Sequence, residues 1–113
     1  MKDALLQKFK RATYSGSSKE IEETLAEAKA AKITIDLEEP ISGITPLFWA
    51  IMKDDKKAVK TLLKAGASID SRDPSGRSPE AFARRQGKLE ALNALRAYLT
   101  ETRERVKKTQ EVA

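Results

Sequence analysis

The chain has 113 residues, of which 40% are hydrophobic, which is enough for one domain with a packed core. It contains no His and no Cys, which excludes disulfide bonds, zinc sites with thiolate or imidazole ligands, and catalysis of the Ser-His-Asp or Cys-His type. The 22 Lys and Arg residues and 17 Asp and Glu residues give a formal net charge of +5. Such a mixture of both signs is typical of a solvated surface.

The apolar segments of the chain are short. The longest uncharged apolar stretch runs from Pro46 to Met52, far below the roughly 20 residues that a membrane-spanning helix needs. Charged residues interrupt the first eleven positions, so we expect an intracellular protein, in the cytoplasm or alternatively in the nucleus. We expect no enzymatic activity, no metal and no cofactor, because a carboxylate enzyme would need two acids that converge in a pocket.

The first predicted helices lie in residues 3–40. Ser17 and Glu20 have the spacing of a capping box, and Ile21, Leu25 and Ala28 follow on one helical face. This pattern predicts a helix that begins just after Ser17.

Thr45-Pro46 and Ser78-Pro79 predict two further helix starts. At each, the hydroxyl is expected to accept an orphan backbone N–H, and proline occupies the first helical position, where no hydrogen bond is lost. Gly66 stands where a helix would end in a left-handed residue, and Asp73-Pro74-Ser75-Gly76 predicts a turn.

The last predicted helix has no stop signal. The sequence after Leu99 is charged and contains no Gly or Pro. Glu101 and Arg105 have i,i+4 spacing, and Val106 continues an apolar stripe. Because little else in this segment is apolar, residues 101–113 are either a helical extension or a disordered tail.

A period of 33 residues links the middle and the end of the chain. Gly43-Ile44-Thr45-Pro46 returns as Gly76-Arg77-Ser78-Pro79, and the small and aliphatic residues at 50, 59 and 62 return at 83, 92 and 95. A degenerate N-terminal copy aligns Ala12 and Ile21 with positions 50 and 59, with a small insertion at residues 29–34. These repeats predict three units, at about 3–40, 41–73 and 74–100.

The units resemble the ankyrin repeat, which consists of a β-turn and two helices and carries a Thr-Pro-Leu-His-x-Ala motif. The resemblance implies an all-α solenoid in which about three helix-turn-helix units, joined by hairpin loops, form a single domain over residues 1–100. The middle-unit residues that carry the resemblance are Gly43, Thr45-Pro46-Leu47, Ala50, Val59, Leu62-Leu63, Gly66-Ala67, Ile69-Asp70 and Asp73.

Three departures from the motif bear on the fold. Phe48 stands where the motif has His, so the hairpin of the middle unit must be held in another way. Asp54-Asp55 replaces the usual Gly-His between the paired helices, and Asp can cap the second helix. Glu80 and Arg84 replace apolar residues, which predicts that the final unit is a terminal cap with one face in water.

The expected core of the middle unit contains Trp49, Leu62 and Leu63 as its most buried residues. We interpret Trp49 as a core residue rather than a binding anchor, because its third-unit counterpart, Phe82, also falls on the stacking side.

The resemblance also implies a binding surface, namely the concave face formed by the hairpin tips and the exposed sides of the first helices. An apolar strip beside arginines is expected there, as interface cores favour. The alternative is that Ile41 and Ile44 pack within the hairpin. The positions carried over to this face are Tyr14, Ile41, Ser42, Ile44, Met52, Lys53, Ser75, Arg77, Arg85 and Gln86.

A basic set, Arg77, Arg84, Arg85 and Lys88, is either a solvated face or a patch for an acidic protein segment. Nucleic acid is disfavoured, since no phosphate loop, helix-turn-helix pattern or aromatic platform accompanies it. The resemblance implies a protein-interaction module that binds a partner protein or peptide, and we expect it to be a monomer. The alternative is an accessory or structural subunit that assembles through its terminal repeat and C-terminal tail.

Overall fold

The computed structural model describes the backbone of residues 2–41 and 43–112 and the side chains of residues 3–41 and 43–102. This part of the chain is all-helical, as predicted, with six helices that form three consecutive pairs. The pairs are α1 (Lys2–Ser15) with α2 (Ser18–Ala30), α3 (Pro46–Met52) with α4 (Lys56–Lys64), and α5 (Pro79–Gln86) with α6 (Leu89–Val112).

The helices form two layers. In the first layer α3 lies between α1 and α5, and in the second layer α4 lies between α2 and α6. The two helices of each unit also pack against each other. Each unit therefore covers its neighbour, which is how repeats that are too small to fold alone share one core.

Most helix starts follow the capping chemistry expected from the sequence. The hydroxyls of Ser17 and Ser78 accept the N–H groups of Glu20 and Ala81, at 3.3 and 3.2 Å. The Asp55 carboxylate accepts the N–H groups of the second and third residues of α4. These bonds satisfy donors that a helix N-terminus leaves without partners.

The cap expected at Thr45 is wrong. α3 begins at Pro46 as predicted, but the Thr45 hydroxyl is buried and makes no hydrogen bond with any described residue. Phe48, one turn further on, has a phenyl ring where the motif has imidazole, and phenyl offers no hydrogen-bond partner. Burying the Thr45 hydroxyl without a hydrogen bond therefore costs the fold some stability.

A continuous apolar core runs through all three units. In the middle unit Phe48 is fully buried, and its ring meets that of Phe82 in the next unit edge-to-face, with centroids 5.3 Å apart. Leu62 and Leu63 are buried as predicted. Equivalent small or aliphatic positions are buried in every unit, namely Ala12, Ala50 and Ala83 in the first helices and Ile21, Val59 and Leu92 in the second.

Trp49 is not among the most buried residues, contrary to the expectation from the sequence. Its side chain is half-buried, and its indole N–H donates a hydrogen bond of 2.7 Å to the carbonyl of Ile41. An indole N–H needs such a partner, and this one lies in the hairpin rather than in the core. The bond ties the hairpin to α3. The middle unit thus holds its hairpin with an indole, although it lacks the His of the motif.

Asp54 links the middle unit to the final one. Its carboxylate accepts the N–H of Ala91, the third residue of α6, at 3.0 Å, and so caps the second helix of the next unit. Asp54 has φ +53°, a left-handed conformation that Asp tolerates better than most residues. The Asp54-Asp55 pair thus serves two helices, because Asp55 caps its own α4 while Asp54 caps α6.

The final unit has the polar outer face expected of a terminal cap. The Glu80 carboxylate lies 3.1 Å from the guanidinium of Arg84 and 3.4 Å from that of Arg96. No further unit covers these groups in the described chain, and α6 continues as one helix to Val112.

Candidate functional site

Two aromatic side chains meet on the first-helix face, the surface formed by the hairpin loops and the exposed sides of α1, α3 and α5. Tyr14, near the end of α1, is 60% exposed. Its ring centroid lies 5.2 Å from that of Trp49, with the planes tilted by 50°. Ile41 completes the group, because its carbonyl accepts the indole N–H. We call Tyr14, Trp49 and Ile41 the aromatic cluster.

The aromatic cluster spans the junction between two units. Tyr14 belongs to α1 and Trp49 to α3, which pack side by side, while Ile41 lies in the hairpin that precedes α3. Stacking of the units therefore positions the two rings, and the hydrogen bond to Ile41 fixes the orientation of the indole. A ring fixed in this way loses little conformational entropy when it binds a partner.

Lys53 extends this face toward the first unit. Its aliphatic carbons lie over Gly16, where an added Cβ would come within 3.2 Å of Lys53 Cγ and Cδ. The Lys53 side chain is exposed and forms no ion pair within residues 3–41 and 43–102. It therefore adds an available positive charge one helical turn after Trp49.

The hairpin residues Ile41 and Ile44 pair with each other in an antiparallel bridge, with N–O distances of 2.7 and 3.3 Å. Ile44 and Met52 are half-buried and pack against the core. Only part of each side chain is therefore available to a binding partner. Ser42 lies outside the described residues.

The third-unit positions are held by a separate turn. The buried Asp73 carboxylate accepts the N–H groups of Ser75 and Arg77, at 3.0 and 2.7 Å, and lies 3.8 Å from the Arg77 guanidinium. Arg85 and Gln86 are exposed at the end of α5. No hydrogen bond or ion pair of the described residues joins these positions to the aromatic cluster.

The charges of the basic set are partly balanced within the fold. Arg77 faces Asp73, and Arg84 faces Glu80. Arg85 is exposed and has no ion pair within the described side chains. Among the three arginines, Arg85 therefore keeps the charge that is most available to a partner.

Sequence reasoning missed Trp49 as a surface residue, although one signal pointed to it. Phe48 and Trp49 are adjacent in a helix, so their side chains project about 100° apart and cannot both point to the centre of the core. The apolar phenyl ring suits full burial, whereas the indole must also satisfy its N–H.

The part of the chain that the structure describes has neither a cluster of metal ligands nor a membrane-spanning helix. No group of Asp or Glu side chains there is arranged to hold a metal ion. No helix there combines the length and the apolar character needed to cross a bilayer.

Three stacked helix pairs, a shared core and hairpins beside the first helices define a helical-repeat solenoid. The family model for ankyrin repeats in three copies matches residues 9–105, and the chain belongs to the ankyrin-repeat family. Members of this family are generally protein–protein interaction modules and are typically not enzymes. A comparison of the sequence with curated proteins found no match.

Proposed function

We propose that this chain binds a partner protein through its first-helix face, with the aromatic cluster as the anchor. The observation that carries the proposal is the exposed Tyr14 ring, which rests on a half-buried Trp49 whose indole is hydrogen-bonded. Tyr, Trp and Arg are the residues that most often dominate binding energy at protein interfaces. The general role of ankyrin repeats supports the same class of function.

Charge favours a partner with acidic groups around its apolar contact. Lys53 lies one turn from Trp49, and Arg85 is exposed at the end of α5 in the same layer of helices. Neither forms an ion pair with the described side chains. Carboxylates of a partner would complement both and would speed the encounter at low salt.

The first experiment maps the binding surface. A partner is recovered on the immobilised full chain, identified by mass spectrometry, and titrated against variants. Replacing Tyr14→Ser together with Arg85→Ala should weaken binding by about 2 kcal/mol or more. Met52 is left unchanged because it packs against the core.

The matched control replaces Lys57→Ala together with Lys60→Ala, two exposed lysines of α4 in the other layer. Binding by this variant should stay close to that of the unaltered chain. Equal losses in the two double variants would remove the first-helix face from consideration.

Fluorescence gives an independent readout. Trp49 is the single Trp of the chain, so its emission reports on the aromatic cluster alone. A partner seated on the cluster should shift or quench this emission. Unchanged Trp49 emission at a saturating concentration of a partner without Trp would contradict the proposed anchor.

The second candidate is a subunit that assembles through its terminal repeat and tail. One observation in its favour is that α6 is much longer than its partner α5, since α5 ends at Gln86 and α6 continues to Val112. The other is that Leu89, at the start of α6, is an aliphatic residue that is 67% exposed. Light scattering at micromolar concentration separates the candidates. A stable dimer that is lost when the chain ends at Thr100 supports assembly, whereas a monomer supports the binding module.

A further inference from the structure

A groove of about 640 Å³ lies in the second-helix layer, away from the aromatic cluster. Its walls are α2, α4 and the segment that follows α2. Leu25, Ile33 and Ile35 are half-buried aliphatic residues that form its floor. Partly exposed aliphatic side chains in a concave site are where an apolar partner side chain gains most from leaving water.

The groove is a property of the first unit rather than of the repeat in general. The first unit carries the insertion at residues 29–34, where the chain turns through Lys32 with φ +58°. The equivalent junction between α4 and α6 has two smaller cavities, of about 100 Å³ and 300 Å³, the first lined in part by Tyr98. Leu63, which aligns with Leu25, is buried. The junction beside the insertion is therefore more open than the next one.

The rim of the groove is basic. Lys29, Lys32 and Lys64 line it and are exposed, and none forms an ion pair within residues 3–41 and 43–102. Glu22 is the one acidic residue among the lining side chains. An apolar floor under three available ammonium groups is complementary to an acidic chain with apolar side chains.

We propose that this groove docks a short acidic segment of a partner protein, which places apolar side chains on Leu25, Ile33 and Ile35 while its carboxylates pair with Lys29, Lys32 and Lys64. Nucleic acid fits the groove less well, because single strands bind on aromatic side chains and the lining residues include none. The groove is separate from the first-helix face, so this proposal is tested independently of the proposed function.

The experiment selects short random-sequence peptides by display on the full chain and measures the binding of the selected peptides, fluorescently labelled, by anisotropy at about 0.1 M salt, where exposed charges more than about 10 Å apart are screened. The expected peptides are acidic and carry at least two aliphatic or aromatic residues. Replacing Lys29→Glu together with Lys64→Glu should weaken their binding at least about tenfold, because like charges then face each other. Ile33→Ser should weaken it as well, since Ile33 lies on the floor but outside the main core cluster.

The matched control reverses one lysine on each of the same two helices outside the groove, Lys19→Glu with Lys57→Glu. Both residues are exposed, and binding should change less than about twofold, as for distant screened charges. Thermal unfolding by circular dichroism checks that every variant is folded.

Three results would overturn the proposal. The first is a selection that yields no acidic peptides. The second is an equal loss of binding in the two charge-reversal pairs, or displacement of the peptide by oligodeoxythymidine, which would show unspecific attraction to basic surface. The third is binding that depends on Tyr14 but not on Lys29 and Lys64, which would assign the peptides to the first-helix face.

Discussion

At the scale of single residues, two adjacent aromatic side chains divide the work of the middle unit. Phe48 is fully buried against Phe82, while Trp49 is half-buried and bonded to the hairpin. Phe48 therefore contributes to stability, and Trp49 contributes both to the hairpin and to the candidate binding surface.

This division predicts unequal costs of truncation. Phe48→Ala should lower the free energy of unfolding by about 3–5 kcal/mol, as for a large side chain removed from a core. Trp49→Ala should cost less, because part of its ring is already in water and its hydrogen bond is worth about 1 kcal/mol. Urea unfolding followed by far-UV circular dichroism measures both variants. If Trp49→Ala lowered the free energy of unfolding more than Phe48→Ala, Trp49 would have to be regarded as a core residue.

The two hydroxyls that precede the helix-starting prolines predict opposite mutational effects. Ser78 caps α5, whereas the hydroxyl of Thr45 is buried without a partner among the described residues. Ser78→Ala should lower the free energy of unfolding by about 1 kcal/mol. Thr45→Val should raise it by about 1 kcal/mol, since the variant removes an unsatisfied polar group and keeps the shape.

Thermal unfolding of the two variants checks this pair under identical conditions. The positions lie one repeat apart, so each serves as the control for the other. Destabilisation by Thr45→Val would indicate that the hydroxyl has a partner after all, such as a bound water.

At the scale of helices, the connection between units rests partly on Asp54. Its carboxylate caps α6 from a left-handed position in the loop after α3. Asp54→Asn should change stability little, because Asn can accept the same hydrogen bond and tolerates this conformation. Asp54→Ala should cost about 2 kcal/mol, because it loses the cap and because Ala adopts the left-handed conformation less readily than Asp.

Asp54→Gly separates the two causes. Glycine loses the cap but adopts positive φ without strain, so its cost should lie between those of the Asn and Ala variants. The thermal midpoints of the three variants test this order. If Gly and Ala cost the same, the backbone conformation contributes nothing and the cap carries the whole effect.

Helix starts were predictable because capping depends on three or four neighbouring residues. Ser17, Asp55 and the prolines at 46 and 79 are all found where the sequence placed them. The burial of Trp49 was not predictable in the same way, because it depends on the Ile41 carbonyl in the hairpin and on Tyr14 in another unit.

At the scale of the whole molecule, stacking of the units creates both candidate surfaces. The periodicity predicted three units, and the resemblance to ankyrin repeats implied that they stack and present one face of hairpins and first helices. The groove between α2 and α4 was not predicted, because its volume depends on how the insertion of the first unit packs against the second. Repeat alignment identifies such an insertion, and only the packed structure shows the space beside it.

The same stacking predicts where the chain can be shortened. A chain that ends at Thr100 should keep its thermal midpoint within about 4 °C, equivalent to less than about 1 kcal/mol for a domain of this size. Among the α6 side chains up to residue 102, the buried ones are Ala91, Leu92, Ala94 and Leu95, and Thr100 is already exposed. A chain that ends at Asp73 should lose cooperative unfolding, because it removes Phe82 from Phe48 and Ala91 from Asp54, and two units are too few to share a stable core. Calorimetry of the two truncated chains beside the full chain measures both effects. Cooperative unfolding of the shorter chain would show that the first two units form a core of their own, and a collapse of the longer one would show that the end of α6 supports the stack.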